Sequence, residues 1–510
     1  MKDARNLHAL LDEAAAEAPR APAIRDHEDS WTYSRLARLS HAFAGWLAEC
    51  GVSAGDRVLV QAPNCREMAA MLFGCSRRGA IFVPVNPGMK PFHLRSVLAN
   101  CEPRVVLAGD GTAGPIREFT ETDVHELHAV WPDVEDYPVS CAGPDEVTGD
   151  RVAVLHYTSG STAAPKAVVC PQAQMVFAAG AINSMLGYRP GDVVFCRLPL
   201  SFDYGLYQIL LACLARAELI VAGTGPDVTL LRQIRRTGAT VVPVVPSLAS
   251  MLITLAERDP DPASPSVVRL FTNTGAALPQ ATIDGLRGRF PGARVARMFG
   301  ITECKRISIM PPEQEMERPA SVGRPLPGTE VVIVDAEGRW LPAGHTGEIL
   351  VRGPNVMAGY WRAPEITART FRRDERSGQV WLHTGDFGQL DEDGYLYFEG
   401  RRDDMFKHKG TRVSTLEIEA AAMDIPGVRG AVVAPPPAGG VLEICVATEL
   451  APHVVLRELA ARLEPAKVPA VCHVMAEIPL TLNGKNERRL LASAVSGRVP
   501  SEAAPDPRDG

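Results

Sequence analysis

Hydrophobic positions recur along this chain with two periods. Leu7 to Glu17 repeats at helical spacing and opens the fold, and Trp31, Thr32, Tyr33 and Leu36 follow a turn. His41 to Cys50 reads as an amphipathic helix with Ala42, Phe43, Trp46 and Leu47 on one side. Short apolar runs at Val58 to Gln61 and Ile81 to Val85 bracket a helical stretch, Met68 to Arg78, and a further run covers Arg104 to Leu107. Strand, helix, strand at this spacing predicts parallel βαβ units. Asp110 to Asp150 is weakly patterned and is expected to connect rather than to build a sheet.

The alternation resumes with a buried strand at Val152 to Leu155. Further strands are predicted at Val193 to Leu200, Leu219 to Ala222, Thr240 to Val245, Val268 to Thr272 and Val295 to Phe299. Helices are predicted at Leu206 to Ala215 and from Pro246. After Pro311 the composition shifts. Glu330 to Val334, Glu348 to Val351 and Tyr395 to Phe398 read as strands of a smaller β-rich unit. A charged stretch, Gly400 to Lys407, leads to a helix at Thr415 to Ala422, strands at Ala431 to Ala434 and Leu442 to Thr448, and a helix at Val454 to Leu463. The fold class expected is α/β: a large N-terminal region of parallel-sheet α/β subdomains with a small β-rich subdomain, then a small α+β C-terminal domain.

Composition narrows the function classes. At 510 residues the chain is too long for one domain. Hydrophobic content of 46% and charged content of 22% are ordinary for a globular protein. A net charge of −7 supplies no general attraction to nucleic acid or anionic membrane. No apolar run reaches the ~18 residues of a membrane helix, and residues 1–5 lack a signal-peptide core. The 11 cysteines are scattered singly, which fits free thiols in a reducing cytoplasm rather than a disulfide or metal framework.

The candidate chemistry lies in four polar loops placed where the strands end, which is where open α/β sheets hold ligands. They are Thr158 to Lys166, Ser201 to Tyr204, Asn273 to Ala277 and Gly300 to Glu303. The first reads T-S-G-S-T-A-A-P-K. Clustered hydroxyls and backbone N–H groups with one ammonium suit phosphate oxygens. It is not a Walker A loop, which needs G-x-x-x-x-G-K-S/T.

This run resembles Y-T-S-G-T-T-G-x-P-K-G, the phosphate loop of the adenylate-forming superfamily of acyl-CoA synthetases, luciferases and peptide-synthetase adenylation domains. Ala163 and Ala167 stand where that family has glycine. Further motifs follow in family order: Met298-Phe299-Gly300-Ile301-Thr302-Glu303, Tyr360-Trp361 with Thr370-Phe371, Thr384-Gly385-Asp386, Gly400-Arg401-Arg402-Asp403-Asp404 with Lys407, and Pro479 to Lys485.

The resemblance implies ATP and Mg²⁺ as cofactors, and it implies roles. Thr158, Ser159, Gly160, Ser161, Thr162 and Lys166 hold the outer phosphates. Thr302 contacts the α-phosphate, and Glu303 holds Mg²⁺. Gly275, Ala276, Ala277 and Gly300 complete the nucleotide site, Phe299 and Phe398 flank the adenine, and Asp386 with Arg401 takes the ribose. Lys485 bridges carboxylate and α-phosphate as the charge of the transition state spreads over phosphorus oxygens. Domains follow as residues 1–400 for the core, 401–404 for a hinge at Asp403, 405–495 for a mobile lid, and 496–510 for a disordered tail.

The acid to be activated is addressed by Phe202-Asp203-Tyr204. The Phe-Asp pair resembles amino-acid-activating members, in which this aspartate pairs with the α-ammonium. A buried carboxylate needs a cation or a proton; alternatively Asp203 caps the helix near Leu206. Tyr204, Tyr207, Thr272, Thr274, Met298 and Arg306 are expected to line the rest of the pocket, with Arg306 facing a second carboxylate or solvent. No carrier segment follows Lys485, so a separate carrier protein, coenzyme A or an amine is the expected acceptor. The reading is an amino acid loaded onto a carrier protein. The alternatives are an acyl- or aryl-CoA ligase, activation of an unusual acid such as nitrite, and a non-catalytic nucleotide binder.

Overall fold

The computed structural model describes residues 6–138, 147–158, 166–223, 227–259, 266–374, 378–401, 405–408, 411–434, 441–463, 465 and 467–478. Two sheets built mainly of parallel strands dominate it. In the six-stranded sheet the order is Val124–Glu126, Val105–Ala108, Arg57–Gln61, Ile81–Pro84, Val152–Thr158 and Lys166–Pro171. Only the last pair of neighbours is antiparallel. In the nine-stranded sheet the central run Arg294–Phe299, Leu270–Asn273, Val241–Val244, Val193–Cys196 and Glu218–Val221 is parallel throughout.

The helices between these strands bury one face each, as their periodicity requires. Tyr33–Glu49 packs Leu36, Phe43, Trp46 and Leu47 inward, and Thr32 caps it by accepting from Arg35 N. This helix begins eight residues before the amphipathic stretch predicted at His41, because the cap lies at Thr32 and the apolar stripe already includes Tyr33 and Leu36. Leu7–Glu17 matches its prediction.

One expectation fails. Asp110 to Asp150 is not merely connecting. It holds the edge strand Val124–Glu126 and the helix Leu127–Asp136, whose Trp131 stacks on Trp31 at 6.0 Å. Its pattern is weak because an edge strand of three residues buries little. In the same sheet the strand Val152–Thr158 pairs antiparallel with Lys166–Pro171, Thr158 opposite Lys166.

Beyond Pro311, Glu330–Val334, Gly347–Arg352, Val380–Leu390, Phe371–Arg373 and Leu396–Arg401 form an antiparallel sheet. The long strand Val380–Leu390 went unread because its middle, Thr384-Gly385-Asp386, carries turn residues. Among the described residues the C-terminal part builds a separate small core around Val413, Ile418, Ile444, Val455 and Leu459 on the sheet Val428–Ala434, Glu443–Thr448 and Val471–Met475. Asp403, Lys485 and the 496–510 tail lie outside the described residues, as do 159–165 of the phosphate loop.

Candidate active site

Three of the four polar loops leave the C-terminal ends of parallel strands in the nine-stranded sheet. After Val193–Cys196 the chain turns at Pro199 and enters the helix Asp203–Ala215. Gly205 is required here, because a Cβ at that position would lie 2.2 Å from the Pro199 carbonyl oxygen. That close approach draws the first helical turn against the sheet edge.

Asp203, 6% exposed, is the first residue of this helix rather than its cap, which is Phe202. Phe202 itself is half-buried. Tyr204 donates its hydroxyl to the Thr272 carbonyl at 2.7 Å and lies 2.6 Å from Thr272 Oγ1. Tyr207 packs beneath it, and burial pushes both phenols well above the ordinary tyrosine range. Both are therefore neutral.

The next group of residues comes from the loop after Arg294–Phe299. Gly300 permits a tight turn; a Cβ there would meet the Lys305 carbonyl oxygen at 2.4 Å and Arg306 Cα at 2.6 Å. Lys305 holds a left-handed backbone (φ 66°). This turn sends Lys305 and Arg306 toward the Asp203–Ala215 helix. The Arg306 guanidinium lies 4.9 Å from the Tyr204 ring centroid, and its Nη1 donates to the Lys305 carbonyl at 2.5 Å. Asn355, fully buried, donates to the carbonyls of Cys304 and Arg306 and holds the turn closed.

Several buried polar groups on these elements have unmet bonding capacity. Among the described residues nothing makes a hydrogen bond or ion pair with the Asp203 carboxylate, and Arg306 Nε and Thr274 Oγ1 are buried without partners. Buried polar groups are paired in the great majority of cases. An anion, a cation and a hydroxyl left open together describe a ligand with complementary charges. Met298 is buried on the strand Arg294–Phe299.

The turn after the strand Arg294–Phe299 also carries Thr302 and Glu303. Thr302 and Glu303 stand half-exposed in the turn. Glu303 Oε1 accepts from the Tyr360 hydroxyl at 2.6 Å, and the Glu303 carbonyl accepts from Met357 N at 2.8 Å. The same segment binds the phosphate hairpin: Val169 N donates to the Gly359 carbonyl at 2.9 Å, and Trp361 N donates to the Ala167 carbonyl at 2.9 Å. The hairpin carrying Thr158 and Lys166 and the turn carrying Glu303 are thus pinned to one strap, Met357 to Trp361. Periodicity could not have found Tyr360 or Asn355 as site residues, since each acts on a partner about fifty residues away.

Asp386, 1% exposed, takes Arg401 Nε on Oδ1 at 3.1 Å, and its N–H donates to Thr384 Oγ1. Asp386 and Glu303 both act electrostatically on the buried Cys304 thiol, whose pKa burial raises, so the two carboxylates share one neighbourhood. Gly275 has a positive φ of 88°, and Ala276 and Ala277 stand exposed on the rim. Phe299 and Phe398, expected to flank the adenine, lie against each other. Their rings stack on each other, centroids 4.6 Å apart, which leaves no gap for an adenine between them. A base can stack only on an outer face.

Comparison with known proteins places the fold. Residues 11–361 match the family model described as AMP-binding enzyme. The chain is 31% identical to the sulfoacetate–CoA ligase of Cupriavidus necator, over 94% of this chain and 96% of the relative. Among solved structures it resembles VinN in complex with L-aspartate, at 52% identity and a TM-score of 0.72, over 78% of this chain and 98% of VinN. It also resembles ATP-bound MatB from Rhodopseudomonas palustris, at 26% identity and a TM-score of 0.85, over 96% of this chain and 98% of MatB.

Proposed function

The chain belongs to the AMP-binding enzyme family, the adenylate-forming ligases that activate acids with ATP, and from that premise we propose that its substrate is an amino acid bearing a second carboxylate. The observation that carries this reading is the set of open groups in the pocket. Asp203 receives the substrate ammonium, and Arg306 with Thr274 receives the carboxylate that is not activated. The solved structures of VinN with L-aspartate and with 3-methylaspartate, proteins of about half-identical sequence, support it.

In the reaction, an oxygen of the other carboxylate attacks the α-phosphorus of ATP, and the bond to pyrophosphate breaks. Thr302 stands beside that phosphate, while Ser159, Gly160, Ser161, Thr162 and Lys166 hold the outer ones. Lys485, carried by a lid over residues 405–495 that swings at Asp403, neutralises the two anions as they meet. Asp386 holds the ribose. A lone carboxylate fixed by one hydrogen bond suits Mg²⁺, which keeps most of its waters and is bound through few protein oxygens plus phosphates. Glu303 would hold that ion, which would offset the negative charge of the phosphates. The activated acyl group then passes to the phosphopantetheine thiol of a carrier protein.

A second reading, a CoA ligase for a doubly anionic acid, draws on the sulfoacetate–CoA ligase relative. It uses Arg306 but leaves the buried Asp203 without a partner. ATP–pyrophosphate exchange across dicarboxylic amino acids, neutral amino acids, fatty acids and aryl acids decides between them, followed by coenzyme A or a loaded carrier protein as acceptor. Exchange confined to acids without an amino group would overturn the proposal.

A further inference from the structure

The segment between the strand Arg57–Gln61 and the helix Glu67–Arg78 leaves the six-stranded sheet and bonds to chain that belongs with the nine-stranded one. Asn64 Nδ2 donates to the Leu198 carbonyl at 2.8 Å, and Asn64 Oδ1 accepts from Leu200 N at 2.8 Å, across 134 and 136 residues of chain. Leu200 N can only donate and the Leu198 carbonyl can only accept, so the pair fixes which end of the amide is which. Arg66 makes a second, separate anchor. It donates to Asp26 through its backbone N–H at 3.2 Å and through Nη1 at 2.6 Å. Asp26 directly follows the strand Pro22–Arg25 of the nine-stranded sheet.

What Asn64 grips is the stretch that delivers Asp203. Leu198 to Leu200 follow the strand Val193–Cys196, and Asp203 opens the next helix. Leu198 and Leu200 are buried. A loop leaving a strand has lost the ladder that pairs its backbone groups, and buried ones need partners. Asn64 supplies one donor and one acceptor, as a neighbouring strand would. The grip reaches the helix itself. Phe202 N donates to the Pro199 carbonyl at 3.0 Å, and Leu206 N donates to the Phe202 carbonyl at 2.9 Å. A Cβ on Gly205 would lie 2.2 Å from the Pro199 carbonyl oxygen and 3.1 Å from that of Leu198, the atom that Asn64 holds. The first helical turn thus rests on a loop whose position Asn64 sets. Among the described residues the Asp203 carboxylate has no hydrogen bond or ion pair of its own, so its place follows from that backbone.

We infer that Asn64 is a positioning residue for substrate binding: through the Leu198 to Leu200 loop it sets where the Asp203 carboxylate meets the ammonium of the amino acid. The inference rests on the function proposed above, which gives Asp203 that partner. It adds a residue from the other sheet that need not touch the substrate. A displacement of about 1 Å at such a site is enough to cost up to about 100-fold.

The test is ATP–pyrophosphate exchange by the full chain with L-aspartate, 3-methylaspartate and L-glutamate. The fastest is then used to compare the wild type with Asn64→Ala, Asp203→Asn and the double variant. Asn64→Ala raises the KM for the amino acid at least about tenfold. Its kcat and its KM for ATP stay within about threefold of the wild type. Because Asn64 acts through Asp203, the kcat/KM of the double variant stays within about threefold of that of Asp203→Asn. A merely structural role does not give this pattern, since loss of folded protein lowers kcat and adds in full to Asp203→Asn. Should Asn64→Ala prove insoluble, Asn64→Leu, close to asparagine in size, is read in its place. An unchanged KM for the amino acid in the Asn64 variant, an equal rise in both KM values, or a fully additive loss in the double variant overturns the inference while the proposed function stands. An unchanged KM for the amino acid in Asp203→Asn, or no exchange by the wild type with any of the three acids, overturns the proposed function instead, and this inference with it.

Discussion

The Tyr360 hydroxyl donates to Glu303 Oε1 at 2.6 Å, across 57 residues of chain. The bond aims the carboxylate. It also ties the turn after Arg294–Phe299 to the strap that holds the phosphate hairpin, since Gly359 and Trp361 bond the strand Lys166–Pro171. Movement of the hairpin is thereby coupled to the position of the acid.

If Glu303 holds the metal, Glu303→Gln lowers ATP–pyrophosphate exchange by about 100-fold or more. Tyr360→Phe removes one hydrogen bond to a charged group, worth about 1.5 kcal/mol, and lowers exchange about tenfold. Part of the Tyr360→Phe loss returns at high magnesium. Equal losses in the two variants would show that Tyr360 does more than orient Glu303.

Asp203→Asn distinguishes an ammonium partner from a structural acid. Loss of one member of a buried charge pair raises the KM for the amino acid at least about 30-fold and leaves the KM for ATP in place. The melting temperature holds, because a buried anion without a partner has been removed. A helix-capping role would instead cost about 1 kcal/mol of stability with little change in KM.

Gly300→Ala places a methyl group against backbone atoms of Lys305 and Arg306, which cannot rotate away. Overpacking of this kind costs about 1–3 kcal/mol. We expect the melting temperature to fall by several degrees and exchange activity to fall with it, since the same turn carries Thr302, Glu303 and Arg306. Calorimetry alongside exchange kinetics checks both. A variant as stable and active as the wild type would show that the turn can relax.

Lys485→Ala separates a catalyst from a nucleotide binder. Adenylate formation falls by orders of magnitude while ATP affinity, read by equilibrium binding, changes little. Unchanged adenylation removes the role assigned to Lys485.

Much of this site is legible in the sequence because its loops follow strands. Thr272 to Ala277 and Met298 to Glu303 each continue a short apolar run into small or charged residues, and the strand positions follow from hydrophobicity alone. Asp386 was legible only through its motif. It lies within the strand Val380–Leu390, where local pattern reads as a turn. The helix boundary at Asp203 was misplaced by three residues because Tyr204 and Gly205 are poor helix signals. Packing of Gly205 against Pro199 overrides them.

The sequence by itself determined the alternation of strands and helices, the order of the motifs and the residue types in the strand-end loops, since these depend on short-range period and side-chain chemistry. Only the tertiary structure decided that Phe299 and Phe398 touch each other, that Tyr360 serves Glu303, and that Lys305 and Arg306 face the tyrosines of the Asp203–Ala215 helix. Those contacts join segments far apart in the chain, and their geometry follows from how the sheets, the strap and one left-handed residue at Lys305 pack, which no local pattern encodes.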